Sequence, residues 1–276
     1  MNIHFYKYQG TGNDFILIDD RDETFPTHDS SLVAKLCDRR FGIGADGLIL
    51  LQKNNSSAFF MRYYNSDGNQ SSMCGNGGRC IAAFAHRLKI AETETLFTAV
   101  DGLHEAIISG EGNELFVKLK MQDVKDIKRP SDDLKSSDGY TFVLNTGSPH
   151  YVKFLASSID SMDLVEEAKK IRYNTEFKDE GINVNFINLE GLKKITMRTY
   201  ERGVEDETLS CGTGVTAAAL STAILNDLPN GIHTIQVKTK GGELSVKFDF
   251  DKHQNTFSDV WLQGPAILVF EGDILI

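Results

Sequence analysis

Met73-Cys74-Gly75-Asn76-Gly77-Gly78-Arg79-Cys80 is answered far downstream by Ser210-Cys211-Gly212-Thr213-Gly214. From Met61, MRYYNSDGNQSSMCGNGGRCIAAFA runs against MRTYERGVEDETLSCGTGVTAAALS from Met197, with one residue inserted in the second copy. Each copy reads as strand, polar turn, cysteine, glycines and small-residue helix. The runs Arg79 to Ile90 and Val215 to Leu225 are rich in small and apolar residues and predict buried helices. Glycine in a helix costs about 1 kcal/mol relative to alanine, so glycines in each first turn need a local reason, such as close approach to bare backbone. First-turn N–H groups and the positive end of the helix dipole suit a carboxylate. The same field lowers the pKa of a cysteine at the helix entrance and favours its thiolate. Folded face to face, two such half-sites would set a base on each side of one bound carboxylate.

Outward from this repeat, 276 residues suit two domains better than one. A hydrophobic fraction of 41% gives a real core, and no apolar run reaches the ~20 residues of a membrane span. The N-terminus lacks the basic-then-apolar layout of a signal peptide, so a cytoplasmic protein is expected, with no membrane partner. Four cysteines without a CxxC pair do not form a disulfide framework and suit a reducing compartment. A net charge of −10 with no basic cluster argues against nucleic acid.

The chain opens with strands at His4 to Tyr8 and Phe15 to Ile18, joined by Gly10-Thr11-Gly12-Asn13-Asp14. At that bend Asn13 reads as a turn residue as readily as a site residue. A helix from about Ser31 to Arg39 and a strand from Leu48 to Leu51 follow; the glycines between them match no phosphate loop. Strands are expected at Leu96 to Val100, His104 to Ile108 and Leu115 to Met121, and a linker over Asp123 to Gly139. The second half repeats the plan, with strands at Thr141 to Asn145, Tyr151 to Leu155, Val184 to Ile187 and Ile195 to Tyr200, and a helix at Leu164 to Arg172. The Cys211 helix precedes strands near Thr234 to Thr239, Glu243 to Phe248, Asp259 to Gln263 and Ala266 to Phe270. The expected class is α+β: two similar domains, each a β-sheet or barrel wrapped around a central buried helix, with the site in the cleft between them. The expected division is 1–122, completed by the last strand over 264–276, and 123–263.

GTGNDF at Gly10 to Phe15, FGIGADG at Phe41 to Gly47, NSDG at Asn65 to Gly68, MCGNGGRC, GSPH at Gly147 to His150, ERG at Glu201 to Gly203 and SCGTG together resemble the diaminopimelate epimerase family. The resemblance runs in order along nearly the whole chain. It implies a cofactor-free enzyme that interconverts LL- and meso-diaminopimelate on the route to lysine and peptidoglycan. Cys74 and Cys211 match the family's acid–base pair, and His150 and Glu201 the polar pair that supports cysteine ionisation. Gly75, Asn76, Gly212 and Thr213 match its carboxylate cradle. Asn13, Asn65, Asn183, Glu201 and Arg202 match substrate-binding positions, Arg202 suiting a distal carboxylate through its planar fork. Ser148 stands where the family usually shows Asn, and Gly47 where some members carry a longer amide.

Two thiols related by a repeat suit inversion, which removes a proton from one face of an α-carbon and delivers one to the other. Helix N-termini aimed at the carboxylate would stabilise the carbanion, in the role pyridoxal plays elsewhere. Cys37 and Cys80 read as small buried hydrophobes, and His86 and His104 have no partner at a metal spacing. The partner expected is a small amino acid, and self-association as a homodimer stays open. Two other readings stand beside this one: a cofactor-free racemase of proline, hydroxyproline, glutamate or histidine, and a thiol redox switch.

Overall fold

The computed structural model describes residues 2–128 and 140–276. The first half runs β1 (Asn2–Gly10), β2 (Asn13–Asp19), α1 (Ser30–Cys37), β3 (Gly47–Gln52), β4 (Phe60–Asn65), β5 (Gln70–Ser71), α2 (Gly75–Arg87), β6 (Glu94–Ala99), β7 (Gly102–Glu111) and β8 (Glu114–Lys120). The second runs β9 (Thr141–Asn145), β10 (Pro149–Phe154), α3 (Leu164–Arg172), β11 (Asn183–Gly191), β12 (Lys194–Glu201), β13 (Asp206–Thr208), α4 (Gly212–Leu225), β14 (Gly231–Thr239), β15 (Gly242–Asp251) and β16 (Thr256–Leu275). Contacts divide the chain into two compact units, Met1–Leu119 with Gly264–Ile276, and Lys120–Gln263.

In the first unit β1 pairs antiparallel with β2, β2 parallel with β3, β3 antiparallel with β4, β4 parallel with β6, and β6 antiparallel with β7. The second unit repeats that order through β9, β10, β11, β12, β14 and β15. Each parallel step needs a crossover, and the helices occupy those connections in the same places. The first unit closes into a ring of eight strands, because the end of β16 pairs with β8 and also with β1, from Asn2 opposite Leu275 to Gln9 opposite Ile267. Closure removes the sheet edges.

Helix α2 packs against β1, β2, β3 and β7, and α4 against β9, β10, β11, β12, β14 and β15. Gly75 to Ala85 is buried without interruption, and α4 is buried over nearly its whole length. Alanines make both helices locally favourable. Buried hydroxyls in α4 are satisfied within the helix: Thr216 Oγ1 donates to the Gly212 carbonyl (3.0 Å) and Thr222 Oγ1 to that of Ala218 (2.8 Å).

Three expectations need correction. α1 ends at Cys37 rather than Arg39, because extended Asp38 caps it and its carboxylate accepts from the Arg40 and Phe41 N–H groups (both 2.7 Å). The strands expected at Asp259 to Gln263 and Ala266 to Phe270 are one strand, β16. Gly264 and Pro265 lie in the ladder opposite Val117 and Phe116, since proline's fixed φ tolerates extended backbone. Of the expected linker, residues 129–139 lie outside the described residues. Within the rest, single bridges pair Val124 with Phe257 of β16 and Lys128 with Val143 of β9, so that part is tied to strands at two points.

Candidate active site

Asn13 starts β2 after the turn Thr11-Gly12, both at positive φ (53° and 83°), the backbone of a tight hairpin. Its amide is oriented by its neighbours. Nδ2 donates to Asp46 Oδ2 (2.7 Å), so Oδ1 accepts from Asn76 Nδ2 (3.2 Å) and from Cys74 Sγ (3.7 Å). Behind it Asp14 takes Lys7 (2.8 Å) and Arg39 (2.7 Å), and Arg39 also reaches Asp46 (2.8 Å). Burial alone would raise the Asp14 carboxyl; Arg39 and Lys7 outweigh it and hold the group well below the usual carboxylate range.

Cys74 is the N-cap of α2 in extended backbone (φ −98°, ψ 134°), with no side-chain cap bond. At Gly77 and Gly78 side chains of the sheet make the close approach to bare backbone. A Cβ at Gly77 would meet Ile49 Cδ1 (3.2 Å), and one at Gly78 would meet Leu119 Cδ2 (2.8 Å). Both glycines thus admit side chains of the sheet.

In the second unit Cys211 caps α4 in the same way (φ −117°, ψ 113°), again with no side-chain cap bond. Its sulfur lies 3.4 Å from Thr213 Oγ1, and Thr213 Oγ1 lies 2.9 Å from His150 Nε2. Asn185 Nδ2 points at His150 Nδ1 (3.1 Å) and donates to the Tyr151 carbonyl (3.0 Å), while its Oδ1 accepts from Thr199 Oγ1 (3.0 Å). That orientation makes Nδ1 an acceptor, so His150 is neutral and donates from Nε2 to Thr213, whose hydroxyl is then directed at the sulfur. Burial, with the Arg202 charge adding to it, pushes the imidazole down to about 3. Gly214 lets this group assemble: a Cβ there would meet Asn185 Oδ1 at 2.6 Å.

Ser148, Asn183 and Arg202 meet beside it. Asn183 donates to Ser148 Oγ (2.8 Å) and the Pro149 carbonyl (3.0 Å) and accepts from the Arg202 N–H (2.9 Å). Arg202 is exposed, with Nη1 on the Glu180 carbonyl (2.9 Å). Glu201 ends β12 opposite Asp206, and Asn65 ends β4 opposite Gly47. The sequence-named residues thus form one group around Cys74, Gly75, Asn76 and Asn13, another around Cys211, Gly212, Thr213 and His150, and a third at Ser148, Asn183 and Arg202. Asn65 is an exposed strand end.

Sequence reasoning missed Asn185, Thr199, Asp46 and Thr146, whose Oγ1 donates to the Thr213 carbonyl (2.8 Å). The alternation Asn183-Val184-Asn185, which puts two amides on one face of an apolar strand, was the available signal. Cys37 and Cys80 are buried, and burial pushes both thiols up to about 12. Among the described residues no cluster of His, Cys, Asp and Glu could hold a metal ion, and no helix is long and apolar enough to cross a membrane.

A family model for diaminopimelate epimerase matches residues 5–126 and 142–269. The chain is 49% identical to a diaminopimelate epimerase of Flavobacterium psychrophilum, over 98% of this chain and 99% of that one. It is 40% identical to that of Chlorobaculum tepidum, over 96% and 98%. Among solved structures it shares its fold with a Bacillus anthracis phenazine biosynthesis protein of the PhzF family (TM-score 0.78, 15% identity, 100% of both chains). A probable proline racemase from Agrobacterium radiobacter shares it too (TM-score 0.71, 14% identity, 99% of this chain and 93% of that one). With motif order, cysteine-capped helices and nearly full-length identity in agreement, the chain belongs to the diaminopimelate epimerase family and is an isomerase.

Proposed function

We propose that the protein interconverts LL- and meso-diaminopimelate without a cofactor, using Cys74 and Cys211 as its acid–base pair, in the cytoplasmic supply of lysine and peptidoglycan precursors. The observation that carries this reading is the repeated one: each unit sets a cysteine at the start of a buried helix with no side-chain cap. In the proposed reaction one cysteine, as thiolate, takes the α-proton; the C–H bond breaks, an S–H bond forms, and the electron pair delocalises into the carboxylate. The other thiol delivers its proton to the opposite face and is left as thiolate. The first-turn N–H groups at Gly75, Asn76, Gly212 and Thr213 stabilise carboxylate charge that grows towards the transition state. Asn13 orients Asn76, and His150 acts on Cys211 through Thr213. Asn65, Asn183, Glu201 and Arg202 hold the rest of the substrate, with Ser148 fixing the Asn183 amide.

The test is incubation in deuterated buffer with thiol reductant and no pyridoxal phosphate, following α-proton exchange by NMR. LL- and meso-diaminopimelate are compared with proline, hydroxyproline, glutamate and histidine. Exchange with inversion of diaminopimelate alone is expected. Turnover of another amino acid with diaminopimelate inert would reassign the substrate, and inertness of all would leave the thiols a redox role.

A further inference from the structure

Between β12 and β13 the chain turns through Arg202-Gly203-Val204-Glu205, from Glu201 to its ladder partner Asp206. Gly203 lies at positive φ (93°), as glycine readily does, but Glu205 does so too (59°), a conformation unfavourable for a residue with a Cβ. Its contacts supply the reason. Oε1 accepts from the Gly203 N–H (3.1 Å) and from Arg172 Nη2 (3.2 Å), and Oε2 from the hydroxyls of Tyr173 (2.8 Å) and Tyr200 (2.9 Å). The Glu205 N–H donates to the Glu201 carbonyl (2.8 Å). One carboxylate thus ties the turn to the end of α3, where Arg172 is the last residue and Tyr173 the C-cap, and to Tyr200, wholly buried in β12. Burial alone would raise this carboxyl; the donors outweigh it and hold it down to about 2, so its charge is present at neutral pH.

The turn so tied is the one that carries Arg202. Asn183 Oδ1 accepts from the Arg202 N–H (2.9 Å), and the Glu180 carbonyl from Arg202 Nη1 (2.9 Å). Arg172 Nη1 reaches the Lys178 carbonyl of the same loop (3.4 Å). Both arginines lie against Gly181, where a Cβ would meet Arg202 Cδ at 2.7 Å and Arg172 Cζ at 2.9 Å. Glu205 pairs with Arg172, which is mostly buried, and so offsets the repulsion between two neighbouring guanidinium groups. A carbonyl neutralises no charge, so exposed Arg202 presents its guanidinium as a fixed cation.

We propose that Glu205 is a positioning residue for Arg202: by clamping the turn and pairing with Arg172, it holds the Arg202 guanidinium where a distal carboxylate of the substrate docks. This rests on the reading of Arg202 as a substrate-binding residue, and the test separates the two claims. KM and kcat for LL-diaminopimelate are measured on the full chain and on Glu205→Gln, Glu205→Gly, Arg202→Met and the two double variants. Glu205→Gln keeps the size and loses the charge, whereas Glu205→Gly loses the carboxylate and relieves the backbone, so the two bear on folding differently. Each is expected to raise KM about tenfold with kcat within about twofold of the parent's. Mere loss of folded protein would lower kcat and leave KM alone. Arg202→Met should raise KM by about as much or more, and in its background neither Glu205 substitution should raise KM further. The parent's KM in the Glu205 variants beside a raised KM in Arg202→Met would overturn the proposal, as would a KM effect of Glu205 that persists undiminished without Arg202. An unchanged KM in Arg202→Met would remove the substrate role of Arg202, and the proposal with it.

Discussion

At the residue scale the two cysteines are alike in backbone and unlike in surroundings. Cys211 is addressed by a hydroxyl that a neutral histidine orients, Cys74 by an amide oxygen. Thr213→Val keeps shape and backbone but severs the path from His150 to the sulfur. Its kcat/KM should fall about tenfold to a hundredfold in both directions, beside a modest loss of melting temperature from the orphaned His150 N–H, and an unchanged kcat/KM would exclude the path. His150 also links folding to pH. Its pKa falls from 6.5 to about 3 on folding, so between those values the unfolded chain binds the proton and the folded chain does not. Stability is therefore lost as pH falls through that window. Asp14, depressed below its ordinary value of 3.8, adds a loss of the same sign beneath that value. Urea midpoints at about pH 7, 5.5 and 4 should decline, and less steeply in His150→Gln. Cys74 and Cys211 stood out because glycines and a repeat surround them, whereas Asn13 read as a turn residue and entered the site only through the family resemblance. Asn185 and Arg79 were not: no periodicity announces a buried polar side chain whose hydrogen-bond partners come from other elements.

At the scale of elements, hydrophobic pattern and caps located most strands and all four helices, since each buries one face or one length of small residues. The short strands β5 and β13 read as polar turns, because their pairing with β4 and β12 is tertiary and leaves no mark on local composition. Gly47 shows the same limit. Its place in the motif suggests only a lost amide, whereas a Cβ there would meet Tyr63 Cε2 and the Tyr64 carbonyl, each at 2.6 Å. Gly47→Gln should accordingly destabilise the protein by about 2 kcal/mol or more in urea unfolding. A neutral or stabilising result would mean that the β3–β4 pair gives way more readily than its packing implies.

At the scale of the molecule, one strand is used twice along its length, pairing first with β15 and then with β8 and β1. A chain ending at Gln263 lacks the pairing that closes the eight-strand ring and exposes the facing edges of β1 and β8. Amide-exchange protection over 2–119 should collapse in that chain, and its persistence would show that the ring folds without closure. The repeated order of strand pairings explains how two cysteines far apart in sequence acquire the same place in each unit. It does not by itself assign them chemistry. The direct measurement is conversion of LL-diaminopimelate in deuterated buffer by the parent protein and by Cys74→Ala and Cys211→Ala, with deuterium located by NMR. The two-thiol account predicts that early meso product from the parent carries solvent deuterium at the inverted carbon while unconverted substrate keeps its proton, and that neither variant inverts. Inversion by either single variant at the parent's rate would contradict it.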